Sequence, residues 1–210
     1  MSEDTEATRL EELWAGAFGD EYLARNFAAG AAREAFWDAL IREFPAPRVL
    51  EIGCNSGANL QWIVPRCEVA LGVDVSSQAL DALRQAVPRA IGVLAEARSL
   101  PFPDDTFDLV FTSGVLIHQP ESSVARVIAE LVRVSRRYVL SMEYAAADTE
   151  EIPYRGERGA LFKRNYESLY GQLFPELRLA RIGFLSHTDG WDEVTWWLFE
   201  KPPVDRAPGS

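Results

Sequence analysis

The sequence predicts an α/β domain. Its core is a seven-stranded, mostly parallel sheet with a C-terminal antiparallel hairpin and an N-terminal helical cap. Three observations predict it. Strand-like and helix-like runs alternate from residue 48 onward, the pattern of a sheet covered on both faces. The first strand passes into a helix through two glycines, Gly53 and Gly57. The last two strand-like runs are separated only by Thr188–Asp192, too few residues for a crossover helix, so they must pair antiparallel.

The elements follow in order. Leu10, Leu13, Trp14 and Phe18 recur at helical spacing, and Gly19–Asp20 punctuates the run. A second helix resumes over 21–28, and a third spans 31–44 before Pro45 and Pro47 stop it. Strands are expected near 48–53, 68–75, 89–95, 107–114, 136–144, 179–186 and 193–200. Helices are expected near 57–64, 77–87, 121–134 and 163–173. This divides the chain into a cap (1–44), a main domain (45–201) with an acceptor or lid segment near 145–177, and a Pro-rich disordered tail (202–210).

Composition bounds the function. The chain has 210 residues with 48% hydrophobic and 25% charged, the profile of one ordinary globular domain. A net charge of −11 disfavours a nucleic-acid backbone or an anionic membrane surface as partner. The acidic start and the lack of a long apolar run give no signal peptide or membrane span. Cys54 and Cys67 read as reduced thiols of a cytoplasmic protein, and no Cys/His spacing suggests a metal. Positive charge comes almost wholly from Arg, with Lys163 and Lys201 the only lysines, which with the abundant Ala fits a GC-rich bacterial genome.

The most informative stretch runs from Val49 to Leu60. A strand, a glycine turn and a helix make a nucleotide-type site, where glycine permits close backbone approach and the helix start offers free N–H groups. A phosphate-binding loop would read G-x-G-x-x-G. This one reads Gly53-x-Asn55-x-Gly57 and carries Glu51 two residues before the first glycine. A carboxylate there disfavours an anion and suits a ligand with positive charge and hydroxyls, such as S-adenosylmethionine. Asp74 ends the second strand, where α/β nucleotide folds hold ribose hydroxyls.

A parallel sheet with a final antiparallel hairpin and an acidic glycine loop resembles the class I S-adenosylmethionine-dependent methyltransferases, which have a Rossmann-like fold. The resemblance implies that Glu51, Gly53, Cys54, Asn55, Gly57, Asp74 and Val75 hold the cofactor. It also places Glu96 and Ala97 beside the adenine and Ser113 beside the methionine part. Asn55 stands where the family usually has its middle glycine. A narrower set of pieces is similar to the pseudaminic acid biosynthesis-associated methylases: Trp14 to Asn26, Ser113 to His118, Glu143–Tyr144, Ile152 to Gly156, Leu161 to Arg164 and Asp192 to Trp196. That resemblance implies a small-molecule acceptor from a nonulosonic acid or related sugar pathway.

The candidate acceptor residues follow. His118 comes after the fourth strand and suits a base or an acceptor-orienting group, or else it caps the helix after Pro120. Tyr154, Arg155, Lys163 and Arg164 lie in a basic segment suited to an anionic acceptor, unless that segment is a solvated turn. His187 ends the sixth strand and is either a substrate contact or a turn residue. Tyr22 on the cap is a candidate cofactor contact. The remaining readings are a natural-product or carboxylate methyltransferase, a non-catalytic S-adenosylmethionine-binding protein, and a nicotinamide enzyme, the last disfavoured by the loop. A monomer or a homodimer is expected.

Overall fold

The structure, a computed structural model, describes residues 3–25 and 32–203. Three helices come first: α1 (Glu3–Ala15), α2 (Ala17–Arg25) and α3 (Ala32–Glu43). The break falls at Gly16, and α2 runs straight through Gly19–Asp20. Gly19 is a close-approach residue, because a Cβ there would lie 1.9 Å from the Trp14 carbonyl oxygen. The sequence expectation of a stop at Gly19 is thus corrected by packing between two helices.

The sheet contains β1 (Arg48–Ile52), β2 (Val69–Asp74), β3 (Ile91–Leu94), β4 (Phe107–Ser113), β5 (Ser135–Glu143), β8 (Arg178–Leu185) and β9 (Val194–Glu200). Its order is β3-β2-β1-β4-β5-β9-β8. The first five strands pair in parallel, and β9 inserts antiparallel between β5 and β8. The expected sheet and closing hairpin are both present.

Between the strands stand α4 (Leu60–Ile63), α5 (Ser77–Ala86), α6 (Glu121–Val134) and α7 (Tyr166–Leu173). Ser76 caps α5 and Asn165 caps α7, each side chain accepting an N–H three residues on. Helix α6 follows Pro120, an N-cap in extended geometry that makes no side-chain cap bond. The expected helix at 163–173 starts three residues later than the pattern suggested. Phe162–Lys163 instead forms β7, paired antiparallel with β6 (Glu150–Glu151) in a small ribbon. So short a ribbon has no period long enough to read from sequence.

Strand alternation sends neighbouring residues to opposite faces. Val49 and Leu109 pack with Trp37, Leu40, Leu60 and Leu83 under α3, α4 and α5. Leu50, Ile52 and Val110 pack with Val127, Ile128, Leu131 and Tyr170 under α6 and α7. These two apolar layers hold the carboxyl ends of β1, β2 and β4 side by side. The strand order reverses between β1 and β4, and a ligand crevice forms at such a reversal. No helix among the described residues is long and apolar enough to cross a membrane, and no cluster of His, Cys, Asp or Glu among them could hold a metal ion.

Candidate functional site

A cavity of about 420 Å³ opens at that reversal. Its floor is the loop after β1. Gly53 has φ +70°, and a Cβ there would sit 2.3 Å from Val115 Cγ2 on the facing loop. Asn55 has φ +48°. Asparagine is among the few side chains that tolerate this left-handed region, and its Oδ1 accepts the Ser56 N–H at 2.7 Å. The substitution of Asn for the family's middle glycine therefore keeps a left-handed turn. Gly57 is also left-handed, at φ +84°, but faces the Leu83 side chain and not the cavity.

Two carboxylates define the loop's chemistry. Asp74 ends β2 and accepts the Asn55 N–H at 2.8 Å and the Ser76 N–H at 2.9 Å. Burial raises its pKa, and the backbone N–H bonds oppose the rise. Glu51 is buried, and its Oε1 accepts from Asn59 Nδ2 at 2.7 Å. Its other oxygen, Oε2, has no hydrogen-bond partner among the described residues. Burial lifts the Glu51 pKa to about 8, against the lowering effects of Asn59 and the Arg33 charge. Cys54 lines the cavity as a protonated thiol, because burial pushes its pKa well up. Cys67 lies elsewhere and is raised to about 11 by the same cause.

Glu51 makes the ligand-free protein pH-sensitive in a defined direction. Its folded pKa of about 8 lies above the unfolded value of ~4.3. The stability it contributes is present below the unfolded value and is lost as pH rises through about 8. Thermal melts of wild type and Glu51→Gln should therefore diverge with rising pH, with the wild type losing ground. A constant gap between them across neutral pH would show that Glu51 does not titrate there.

Arg33 and Asn59 belong to this cluster and were missed by the sequence reading. Asn59 Oδ1 accepts from Trp37 Nε1 at 3.4 Å and from an Arg33 nitrogen at 3.5 Å. The Arg33 guanidinium lies 4.5 Å from the centre of the Trp191 ring, and its buried Nε has no partner among the described residues. The signal available for Asn59 was its place four residues after Asn55, at the N-cap of α4. Arg33 had no comparable signal, since it arrives from a separate helix.

The opposite wall is aromatic. His118 sits in a single 3-10 turn, Leu116–His118, with its ring 4.5 Å from that of Trp14 and 5.3 Å from that of Tyr154. Its Nδ1 lies 2.5 Å from the Ala160 carbonyl oxygen. A carbonyl only accepts, so Nδ1 carries the proton and Nε2 keeps the lone pair. Burial pulls the His118 pKa down to about 4, so the ring is neutral near pH 7. The N-cap of α6 is Pro120, and the bond that the His118 ring makes through Nδ1 goes to Ala160 instead.

The cavity brings together Glu51, Gly53, Cys54, Asn55, Asp74, Val75, Ala97, Ser113, His118 and Tyr154. It does not include Gly57, Glu96, Arg155, Lys163, Arg164 or His187. Glu96 faces outward, with its side chain 56% exposed and 3.4 Å from Arg98. Arg98 is buried and grips Glu11 of α1 at 2.5 and 2.7 Å, which ties the first helix to the loop after β3. Arg155 lies over the Tyr154 ring in a left-handed turn, and Lys163 is in the ribbon. Arg164 is only 2% exposed and donates to the Leu116 and Gln119 carbonyls. His187 begins a 3-10 turn closed by a Ser186–Asp189 capping box. The basic segment is therefore split between the surface and the protein interior, and of its candidate residues Tyr154 lines the cavity while Arg155, Lys163 and Arg164 do not. Tyr22 belongs to α2, but its side chain falls outside the described residues.

Comparison with known proteins agrees with this geometry. Residues 50–140 match the family model described as a methyltransferase domain. The chain is 32% identical over 97 residues to methyltransferase GfsG of Streptomyces halstedii, covering 42% of this chain and 34% of that protein. It is 35% identical over 97 residues to a phosphatidylethanolamine N-methyltransferase of Cereibacter sphaeroides, covering 43% and 46%. The matches thus span between about a third and a half of those relatives. In fold it resembles the magnesium protoporphyrin IX methyltransferase of Synechocystis with bound S-adenosylhomocysteine, at TM-score 0.70 and 15% identity over 93% of this chain and 99% of that one. It also resembles the Burkholderia thailandensis 1,6-didemethyltoxoflavin-N1-methyltransferase, at TM-score 0.74 and 13% identity over 96% and 91%. Residues 50–140 thus match a methyltransferase domain in sequence, and the sheet order gives the chain the fold of those methyltransferase structures.

Proposed function

We propose that the chain is an S-adenosylmethionine-dependent methyltransferase acting on oxygen or nitrogen of a small-molecule acceptor. One observation carries this reading: a buried carboxyl oxygen, Glu51 Oε2, has no partner among the described residues in a cavity built on a glycine loop. A buried acceptor of this kind is costly unless a ligand donates to it. The residues fit the cofactor. Glu51 matches its ammonium, and the unpartnered Arg33 Nε its carboxylate. Asp74 keeps lone pairs for two ribose hydroxyls beyond its two backbone bonds. Ala97 leaves room for the adenine, and Ser113 lines the methionine side. When bound, the cofactor supplies a methyl group already activated on sulfur.

What remains for the protein is alignment and exclusion of water. Trp14, Tyr154 and His118 form a ring-lined wall for the acceptor. The neutral His118 offers Nε2 as a hydrogen-bond acceptor to an O–H or N–H. With a pKa of about 4 it suits orientation of the acceptor better than removal of a proton from an unactivated alcohol. A nonulosonic or related sugar-acid acceptor is supported by the resemblance around Tyr154, which lines the cavity. It draws no support from Arg155, Lys163 or Arg164. Among the described residues, the cavity is lined by four carboxylates, those of Glu11, Glu51, Asp74 and Asp192, and by one guanidinium, that of Arg33.

A second reading is a protein that binds the cofactor without methyl transfer. A solved [4+2]-cyclase shares this fold at TM-score 0.61 and 18% identity, so the fold alone does not decide the reaction. Calorimetric titration with S-adenosylmethionine, S-adenosylhomocysteine and NAD tests the common part of both readings. Binding of the two sulfur compounds and not of NAD is expected. A folded sample that binds neither sulfur compound would sink both.

A further inference from the structure

Two buried ionisable side chains outside the cleft, Glu143 and Arg164, grip the turn that carries His118. Glu143 ends β5 and is fully buried. Its Oε1 accepts the Val115 N–H at 3.3 Å and the Leu116 N–H at 3.2 Å, and its Oε2 accepts the Ile117 N–H at 3.2 Å. These are the donors that a single 3-10 turn leaves without internal partners. Arg164 serves the other end, donating to the Leu116 carbonyl at 3.3 Å and the Gln119 carbonyl at 2.8 Å. The carboxyl group thus stands at the amino end of the turn and the guanidinium at its carboxyl end, the order its peptide dipoles favour, although burial lifts the Glu143 pKa to about 7 against the backbone N–H bonds it accepts. The Arg164 guanidinium also lies 4.6 Å from the centre of the Phe162 ring. The same segment, 160–164, supplies the Ala160 carbonyl that receives the His118 Nδ1 proton.

Burying a carboxyl group and a guanidinium is an expensive way to hold one turn. Water or a serine cap would satisfy the same backbone groups on a surface loop. Here the turn has to stay in one position, and the position it keeps is that of the imidazole. We propose that Glu143 and Arg164 are positioning residues that hold the 115–118 turn so that His118 presents Nε2 unprotonated beside the cleft. The acceptor-facing role of His118 rests on the function proposed above, whereas the clamp itself is measured on the imidazole and does not depend on turnover.

The chain has two histidines, so nitrogen-15 spectra of the full labelled protein give two imidazole signals, and His118→Gln assigns them. Wild-type His118 should show the Nδ1–H tautomer and remain neutral down to about pH 4. The neighbours that face its ring are Trp14 and Tyr154, and both are retained in every variant. In Glu143→Gln and Arg164→Met the tautomer should become mixed, and the midpoint should rise by ~1 unit or more toward the ordinary histidine value. Arg164→Lys should restore part of the wild-type signature. Binding of S-adenosylhomocysteine, measured on the same samples, should persist in the variants. If wild type fails to bind it, the proposed function fails while the imidazole still tests the clamp. Folded variants with an unchanged His118 tautomer and midpoint would overturn the proposal. Should the variants fail to fold, hydrogen exchange in wild type decides it: the amides of 115–117 must be protected, and free exchange there would refute the clamp.

Discussion

Asp74→Ala is expected to weaken binding of S-adenosylhomocysteine by ~10²–10⁴-fold, from loss of two hydrogen bonds to a charged group at ~1.5–3 kcal/mol each. The residue sits where β2 ends, and its carboxylate already takes the Asn55 and Ser76 N–H groups. Removal therefore acts twice: the ribose hydroxyls lose their acceptor, and two buried backbone donors lose theirs. Asp74→Asn separates the effects, since an amide oxygen can still accept a backbone N–H but carries no charge. Its affinity should fall between wild type and alanine. Calorimetry reads both variants, with circular dichroism to show that they fold. An alanine variant that binds as tightly as wild type would remove Asp74 from the cofactor site.

Gly53→Ala should destabilise the fold by ~2–5 kcal/mol, combining left-handed strain of ~1–2 kcal/mol with overpacking of ~1–3 kcal/mol. The added methyl would meet Val115 Cγ2 at 2.3 Å, and φ is +70°. Val115 is β-branched and stiff at χ1, and its backbone N–H is held by Glu143, so it retreats poorly. Adding Val115→Ala should recover the steric part and leave the backbone strain. Urea titration of the two variants and wild type measures each share. A Gly53→Ala protein as stable as wild type would mean that the two loops are free to separate. The consequence for function is direct, because these are the loops that bring Glu51 and His118 to opposite walls of one cavity.

The legible part of this protein was periodic or local. The seven strands follow from apolar runs and their spacing, and the closing hairpin from a connection too short for anything else. Glu51 and Asp74 were readable because one stands just before the glycine turn after β1 and the other ends β2, positions that topology turns into a site. The β6–β7 ribbon was not readable, since two residues per strand carry no period. Clustered charge in the basic segment proved a poor guide to direction. Within ten residues, Arg155 lies over Tyr154, Lys163 sits in the ribbon, and Arg164 turns into the interior.

The sequence by itself determined the fold, the cofactor-type loop and the two acids that face it, because strand period, turn chemistry and strand ends are short-range properties. The tertiary structure alone decided which distant side chains complete the site. Arg33 comes from a helix before the sheet, Trp14 from another, and Trp191 from the connection into the last strand. It also decided the state of His118, neutral and held through Nδ1, because burial and the Ala160 carbonyl, 42 residues away in sequence, set its proton. Desolvation and long-range hydrogen bonds depend on what packs against a group, and no local pattern in the chain encodes that.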